Sequence, residues 1–175
     1  LGDWLSDLGG GLDGRFRARG KWPALAITGD ARGRALKFGD TQIAKLDLDA
    51  EIANLDAAQG RLALKLDQID AGALQFKALD LHASGALAGH QLEVDAEGTP
   101  LGLKLALDGK ADTAGDWNGT LRTLDLRPEN LPALALRAPT SLAWRKHAFS
   151  SSELCLEGGD ASLCASADVA ADGAL

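Results

Sequence analysis

The chain has 175 residues and carries 25 acidic against 18 basic side chains, which gives a formal net charge of −7. A chain of this charge repels phosphate backbones, so the composition excludes nucleic acid as a partner. No apolar run approaches the roughly 20 residues that cross a bilayer, and no stretch resembles a signal peptide. The chain begins at Leu1 and contains no methionine, so we expect a segment of a longer protein whose membrane anchor and export signal lie elsewhere.

The first eight residues carry the one helical pattern of the sequence. Apolar residues spaced at i, i+3, i+4 and i+7 are Leu1, Trp4, Leu5 and Leu8. This spacing predicts a short N-terminal helix that ends at Gly9–Gly11 and lies against a sheet or closes one end of it. The alternative is a frayed terminus, because so short a helix is marginal in isolation.

Most of the remaining chain alternates between apolar and polar residues. Leu46 and Leu48, for example, alternate with Asp47 and Asp49, which places aliphatic side chains on one face of a strand and carboxylates on the other. Turn signals separate such stretches at the short spacing typical of antiparallel meanders. They are Gly39-Asp40, Ala88-Gly89, Gly98-Thr99-Pro100, Asp108-Gly109 and Gly158-Gly159-Asp160. The sequence therefore predicts an all-β fold, a single unit over residues 1–175 with about 12 to 14 strands in one long meander.

The aliphatic positions of the predicted strands form one set. Its members are Leu46, Leu48, Leu62, Leu64, Leu66, Leu79, Leu81, Leu92, Val94, Leu101, Leu103, Leu105, Leu107, Leu124, Leu126, Leu134 and Leu136. Leu121 breaks the alternation of Leu124 and Leu126, which predicts a β-bulge.

An apolar face of this size cannot stay open to water, because burial of aliphatic surface contributes about 25 cal/mol per Å². A closed sandwich or barrel, whose leucine faces meet, is the commoner solution. The uniform leucine and alanine content, with 5% aromatic residues, is unusual for a core that must interlock at native density. A curved open sheet with an apolar concave side therefore stays an alternative.

The cysteines Cys155 and Cys164 flank the predicted turn at Gly158-Gly159-Asp160. If Gly159-Asp160 is a two-residue turn, the two cysteines lie directly opposite each other. We therefore predict a disulfide, which requires an oxidising compartment; two free thiols are the alternative. A metal site is not expected, because the CxxC spacing of zinc sites and the HExxH arrangement are both lacking.

Catalysis finds no support in the sequence, and we expect neither an enzyme nor a cofactor. The carboxylates follow strand alternation, which a solvated strand face explains. No GxSxG motif or P-loop is present. Arg15, Arg17 and Arg19 alternate on one predicted strand and could meet a headgroup or a partner carboxylate, although a plain polar face is the simpler interpretation.

Several landmarks, in this order and spacing, together resemble a known family. They are Ala83-Ser84-Gly85, His90-Gln91-Leu92 with Gly98, the leucine strand to Gly109, Asp116-Trp117-Asn118-Gly119-Thr120-Leu121, Leu154-Cys155-Leu156 and Leu163-Cys164-Ala165. Over roughly residues 12–169 the chain resembles the TamB family, the inner-membrane subunits of the translocation and assembly module, within the AsmA-like group of bridge-like lipid-transfer proteins.

This resemblance implies a β-taco, a sheet folded lengthwise into an open channel with a hydrophobic interior, as one section of a bridge across a Gram-negative-type periplasm. It implies passage of phospholipids between the inner and outer membranes, and support of outer-membrane protein assembly together with TamA. The aliphatic set would then line a lipid groove. The implied partners are phospholipid acyl chains, adjacent β sections of the same chain and, through the full-length protein, a TamA-like outer-membrane protein.

Two alternatives stay open at this point. The first is a chaperone-like surface that receives strands of outer-membrane proteins, such as autotransporters, by adding them to a sheet edge. The second is a closed structural β domain that binds nothing.

Overall fold

The computed structural model describes residues 8–145 and 148–170. These residues form twelve strands in one antiparallel sheet. The strands are β1 (Leu8–Lys21), β2 (Ala24–Phe38), β3 (Thr41–Asn54), β4 (Gln59–Ala71), β5 (Leu74–Ala86), β6 (Gly89–Thr99), β7 (Leu101–Ala111), β8 (Trp117–Pro128), β9 (Leu134–Leu136), β10 (Thr140–Arg145), β11 (Ala148–Gly158) and β12 (Ala161–Val169). The predicted all-β meander of about 12 to 14 strands is therefore confirmed.

The predicted N-terminal helix is not seen. Residues 1–7 lie outside the described residues, and Leu8, the last residue of the predicted helix, begins β1. Gly9–Gly11, expected to end the helix, lies inside β1, where the pairing with β2 shifts register. Gly10 has a φ of 99° at this shift, a conformation that glycine adopts without steric cost. Pairing with β2 therefore decides the structure here, against the local period.

The strands lie side by side in chain order from β1 to β8, followed by β10, β11 and β12. The short β9 lies beside this path and pairs with β8 and β11. β1 and β12 are the two edges of the sheet, and they do not pair with each other. The sheet is thus not closed into a barrel within the described residues.

The sheet also lacks the core of a sandwich. The chain exposes 11748 Å², whereas a compact monomer of this mass exposes only about 8,000 Å². The hydrophobic residues that are buried, among those described, are Ala31, Leu36, Ala96, Leu121, Cys155 and Leu156. Two leucine faces packed against each other would bury many more side chains than this, so an open single sheet describes the molecule better than a closed one.

Four of the five predicted turns lie at connections between strands, and one is wrong. Ala88 lies in the turn at residues 87–88, and Pro100 separates β6 from β7. Gly39-Asp40 and Gly159-Asp160 form turns. Asp108-Gly109 instead lies within β7, which continues to Ala111. Gly109 pairs with strands on both sides, β6 and β8, so ladder hydrogen bonds outweigh the local turn signal. The next turn follows at residues 113–114.

Four neighbouring strands share an extra residue at the same level of the sheet. We call Ala35, Ala44, Gln68 and Lys77, on β2 to β5, the extra-residue row. Pairing continues on either side of it, as between Arg34 and Lys45 and between Leu36 and Ile43. Ala35 and Gln68 have positive φ angles of 48° and 50°. Where the row crosses a strand, successive apolar residues are three positions apart instead of two, as for Ile43 and Leu46 on β3.

The extra-residue row keeps apolar side chains on one face. The apolar residues beyond it are Leu36, Ile43, Ile69 and Phe76, which lie directly opposite one another. A Cβ on Gly33 would contact the side chains of both Leu36 and Leu46, so these two leucines lie on the same face of the sheet. Strict alternation would have placed Leu36 on the other face.

Candidate functional site

The register of the strands builds continuous rows of apolar residues across the sheet. One row runs through Leu48, Leu64, Leu81, Val94, Leu105 and Leu124. A second runs through Leu46, Leu66, Leu79, Ala96, Leu103, Leu126 and Leu134. A third runs through Leu62, Ala83, Leu92, Leu107 and Leu121. Directly opposed residues share a face, and we call this surface the leucine face.

Every member of the predicted aliphatic set lies on the leucine face. Leu101 belongs to it by alternation with Leu103, and Leu136 by alternation with Leu134. Most of these side chains are half-buried, and Leu62 and Leu101 are 37% and 36% exposed. The leucines therefore shield one another only in part.

The bulge at Leu121 is where the sequence predicts it. The pairing of β7 with β8 shifts between Ala106 and Leu107, so that Leu107 lies opposite Leu121 and Arg122 is the additional residue. The shift returns Leu121 to the leucine face, where it is 5% exposed.

Sequence reasoning missed other residues of the leucine face. On β1 and β12, Leu12, Phe16 and Leu163 are 65%, 58% and 62% exposed. The residues beyond the extra-residue row, such as Ile43 and Phe76, were missed because their spacing breaks the period of two. The same kind of parity break that revealed the bulge at Leu121 could have revealed them.

A polar pair lies at one end of the leucine face. The indole Nε1 of Trp117 donates a hydrogen bond to Nε2 of His90 at 2.8 Å, and Nδ1 of His90 lies 3.3 Å from the carbonyl oxygen of Ala86. The two rings stack with centroids 6.3 Å apart. A Cβ on Gly109 would clash with both rings, and one on Gly119 would clash with Trp117. These two glycines therefore make room for the pair.

The opposite face carries charged rows with ion pairs both within a strand and between strands. Asp47 lies 2.6 Å from Nζ of Lys45 and 3.5 Å from Nε of Arg32. The hydrogen bond from Lys45 lowers the pKa of Asp47 below its usual value, and the same contact raises the pKa of Lys45. Lys45 is exposed and Asp47 is half-buried at the surface, so these ion pairs contribute little to stability.

Cys155 and Cys164 are bonded as the hairpin pattern predicts. They lie directly opposite each other on β11 and β12, beside the opposed pair Leu156 and Leu163, and the sulfur atoms are 2.04 Å apart. Glu153 is the nearest further potential metal ligand. With both sulfurs in a disulfide, this group lacks the free thiolates that a metal site would use. The bond fastens the edge strand β12 to the sheet.

The register aligns rows of apolar residues on one side of the sheet and rows of charged residues on the other. The described residues contain no helix that could span a membrane. In terms of class, this is an all-β protein whose described strands form one antiparallel sheet. A family model described as TamB, N-terminal domain, matches residues 1–174. The chain therefore belongs to the TamB family. No solved structure matches it significantly.

Family membership places the chain in a bacterial envelope protein and connects it in general with the translocation and assembly module that includes TamA.

Proposed function

We propose that this chain is one section of a periplasmic conduit for phospholipids between the inner and outer membranes, and that it thereby supports outer-membrane protein assembly. The sheet curls lengthwise into a taco-like channel with the leucine face inward. The carrying observation is the continuity of the apolar rows, which pass through Leu48, Leu64 and Leu81 and on to Leu124.

The direction of the rows fits transport along the sheet. Each row runs perpendicular to the strands, so an acyl chain that follows it crosses from strand to strand. Eleven strands lie on the path from β1 to β12, and neighbours stack at about 4.8 Å, which makes the section roughly 50 Å long. The section would therefore cover part of a periplasmic span, and adjacent β sections would supply the rest.

The energetics favour passage over storage. Exposing two acyl chains of about 16 carbons to water costs on the order of 25 kcal/mol, at about 0.8 kcal/mol per CH₂. A face built of leucine removes most of this cost. Because leucine resembles the bilayer interior, net binding is shallow, and a lipid meets no deep trap along the rows.

The alternative role, a chaperone-like surface for strands of outer-membrane proteins, is favoured by one observation: β1 and β12 each have their outer side unpaired among the described strands. The two roles depend on different surfaces. Strand capture uses the backbone of an edge, whereas lipid passage uses the side chains of the leucine face.

The first experiment places a photoreactive residue at Leu103 in the full-length protein in cells, with Lys104 as the matched control position. Lys104 is the next residue of β7 and lies on the charged face. We expect phospholipid adducts from the probe at Leu103 and none from the probe at Lys104, as determined by mass spectrometry. Adducts at both positions, or only within the protein at Leu103, would contradict a lipid-facing leucine surface.

A second experiment separates the two roles. The substitution Leu105→Asp places a charge without a partner in the middle of a row, and the control Lys104→Asp changes the other face. We expect Leu105→Asp to abolish most lipid transfer between vesicles or membranes and to leave strand capture at the edges unchanged, because burying an unpaired carboxylate against acyl chains is costly. Unchanged lipid transfer in Leu105→Asp would overturn the conduit.

A further inference from the structure

The tryptophans of the described residues lie at one end of the strands. Trp22 is in the turn between β1 and β2, Trp117 begins β8, and Trp144 is the second-last residue of β10. Trp117 and Trp144 lie directly opposite each other. Tryptophan favours boundaries between an apolar and an aqueous region, because its ring is apolar and its N–H group is polar. This end of the leucine face therefore has the composition of such a boundary.

The ring of Trp117 lies against the backbone of two strands. Trp117 is on the leucine face by alternation with Leu121, and Gly109 and Gly119 lie directly opposite each other beside it. A Cβ on Gly109 would lie 2.6 Å from Nε1 and 2.8 Å from Cε2 of the indole, and one on Gly119 would clash with Cζ2 and Cη2. The indole therefore extends over both glycines along the surface of the sheet, and its other side is turned away from the backbone.

A hydrogen bond fixes the ring of Trp117 in this position. Its Nε1 donates to Nε2 of His90 at 2.8 Å. Because Nε2 accepts, the imidazole is neutral and carries its proton on Nδ1, which lies 3.3 Å from the carbonyl oxygen of Ala86. Donation by the N–H group polarises the indole and increases the electron density of its ring. The geometry thus holds in place an aromatic surface that attracts cations.

The turn that leads into Trp117 is acidic. Residues 112–116 include Asp112 and Asp116 and no basic residue. Oδ1 of Asp112 accepts hydrogen bonds from the backbone N–H groups of Ala114 at 2.8 Å and Asp116 at 3.0 Å, so this turn is held in one conformation. Its negative charge lies beside the ring in sequence and favours a cation over an anion as the ligand.

Two described cations on the neighbouring strands are turned to the other side of the sheet. Lys110 lies directly opposite Asn118, which alternates with Trp117 and therefore lies on the charged face. Arg145 donates to Oδ1 of Asn118 from Nη2 at 2.7 Å and from Nε at 3.2 Å. Neither cation therefore competes with a ligand for the ring of Trp117.

We propose that Trp117 binds the ammonium group of a zwitterionic phospholipid headgroup, such as that of phosphatidylethanolamine, by a cation–π contact. The proposal rests on the conduit function and adds a headgroup preference to it. The acyl chains lie across Leu107 and Leu105, which precede Gly109 on the same face of β7, and the headgroup lies at the end of the strands. Phosphatidylglycerol, which has no ammonium group, lacks this attraction.

The test places a photoreactive phenylalanine derivative at Trp144 in the full-length protein in cells. Trp144 is 44% exposed and directly opposite Trp117, so an aromatic probe replaces an aromatic side chain beside the site. The control position is Leu48 on β3, which is on the leucine face but five strands from β8. We expect the ratio of phosphatidylethanolamine to phosphatidylglycerol adducts, measured by mass spectrometry, to be about threefold higher at Trp144 than at Leu48, as a cation–π contact at an exposed site provides.

Substitutions of the ring identify the site. Trp117→Leu keeps an apolar side chain but removes the aromatic ring, and it should make the two ratios equal. Trp117→Phe keeps a ring that attracts cations less strongly, and it should retain part of the difference. Trp22→Leu removes a tryptophan from the same end of the strands, in the turn between β1 and β2, and as the matched control it should leave the threefold difference unchanged. An unchanged yield of adducts at Leu48 verifies that the sheet of each variant is intact.

The result separates this proposal from the conduit on which it rests. Absence of lipid adducts at both Leu48 and Leu103 would contradict the conduit itself. Lipid adducts at both positions, with the same headgroup ratio at Trp144 as at Leu48, would overturn only the headgroup preference. A threefold difference that persists in Trp117→Leu would also overturn the role of this ring. Adducts at Trp144 that are mainly glycolipids would assign the ring to stacking on sugars instead.

Discussion

The sheet has two regions that are held together by different means. In the body, β2 to β8, the strands are 11 to 15 residues long and pair with neighbours along most of their length. In the distal end, β9 to β12, strand lengths fall to 3, 6, 11 and 9 residues. Long ladders order the body, whereas the distal end relies on a covalent bond and a small cluster of buried residues.

That cluster lies where β8, β10 and β11 meet. Thr140 is fully buried and lies opposite Leu121, and its hydroxyl group is 3.3 Å from the carbonyl oxygen of Ala138 and 3.5 Å from that of Glu153. Cys155 and Leu156 are buried on β11. A short ladder loses fewer hydrogen bonds when it opens, so such anchoring matters more at this end than in the body.

The sharpest test of this contrast removes the disulfide. The double substitution Cys155→Ser, Cys164→Ser opens a loop with a sequence separation of 9, which should lower the free energy of unfolding by roughly 2.7 kcal/mol according to the chain-entropy model. We expect hydrogen exchange to accelerate in β11 and β12 and to stay unchanged in β4 and β5. The parent chain under reducing conditions should reproduce the effect, and the double variant should not respond to reductant.

If β4 and β5 lost protection to the same degree, the two regions would form one cooperative unit, and the contrast between them would be wrong.

A second test probes the body at the pair formed by His90 and Trp117. Gly109→Ala introduces a Cβ that clashes with His90 and Trp117, and the displacement should cost about 1 to 2 kcal/mol, as overpacking does elsewhere. The indole N–H resonance of Trp117 should shift as its hydrogen bond to His90 is lost. Gly11→Ala is the control, because a Cβ there meets nothing within 4 Å. Equal stability of the two variants would mean that the pair is not tightly held.

The smallest expected effect concerns the charged face. The pKa of Asp47 is lowered in the folded chain by its hydrogen bond with Lys45, so its contribution to stability is present above the unfolded value of 3.8 and is lost as the pH falls through the folded value. In Asp47→Asn, the free energy of unfolding should therefore depend slightly less on pH in the acidic range, as measured by denaturant unfolding at a series of pH values. Asp49→Asn, on the same strand face but outside the contacts of Asp47 with Lys45 and Arg32, is the matched control.

A large loss of stability at neutral pH in Asp47→Asn would show that the ion pairs contribute more to the free energy of unfolding of the body than is usual for pairs at a protein surface.

Local patterns were sufficient for much of this fold. A period of two placed the leucine rows, and the spacing around Gly159-Asp160 predicted the cysteine pairing, because a hairpin fixes its register through its turn. The helix predicted from the pattern at Leu1–Leu8 is wrong at its described end, since Leu8, Gly9 and Gly11 pair with β2. Cross-strand hydrogen bonds are non-local and leave little trace in a window of eight residues.

The choice between an open and a closed sheet was also beyond the sequence. Both arrangements shelter leucine from water, so burial logic alone could not separate them. The extra-residue row escaped for a related reason, because each of Ala35, Ala44, Gln68 and Lys77 is unremarkable in its own strand. Only the alignment of the four strands gives the shared position its meaning.

That alignment limits how this sequence can change in length. Deleting Ala44 alone would move the side chain of Ile43 from the leucine face to the charged face, and that of Gln42 in the other direction. Their partners on β2 and β4 would stay where they are. A matching deletion would then be needed in each neighbouring strand from β2 to β5 before the apolar rows joined again. Insertions and deletions at this level should therefore be inherited as a group across several strands, whereas individual side chains remain free to vary.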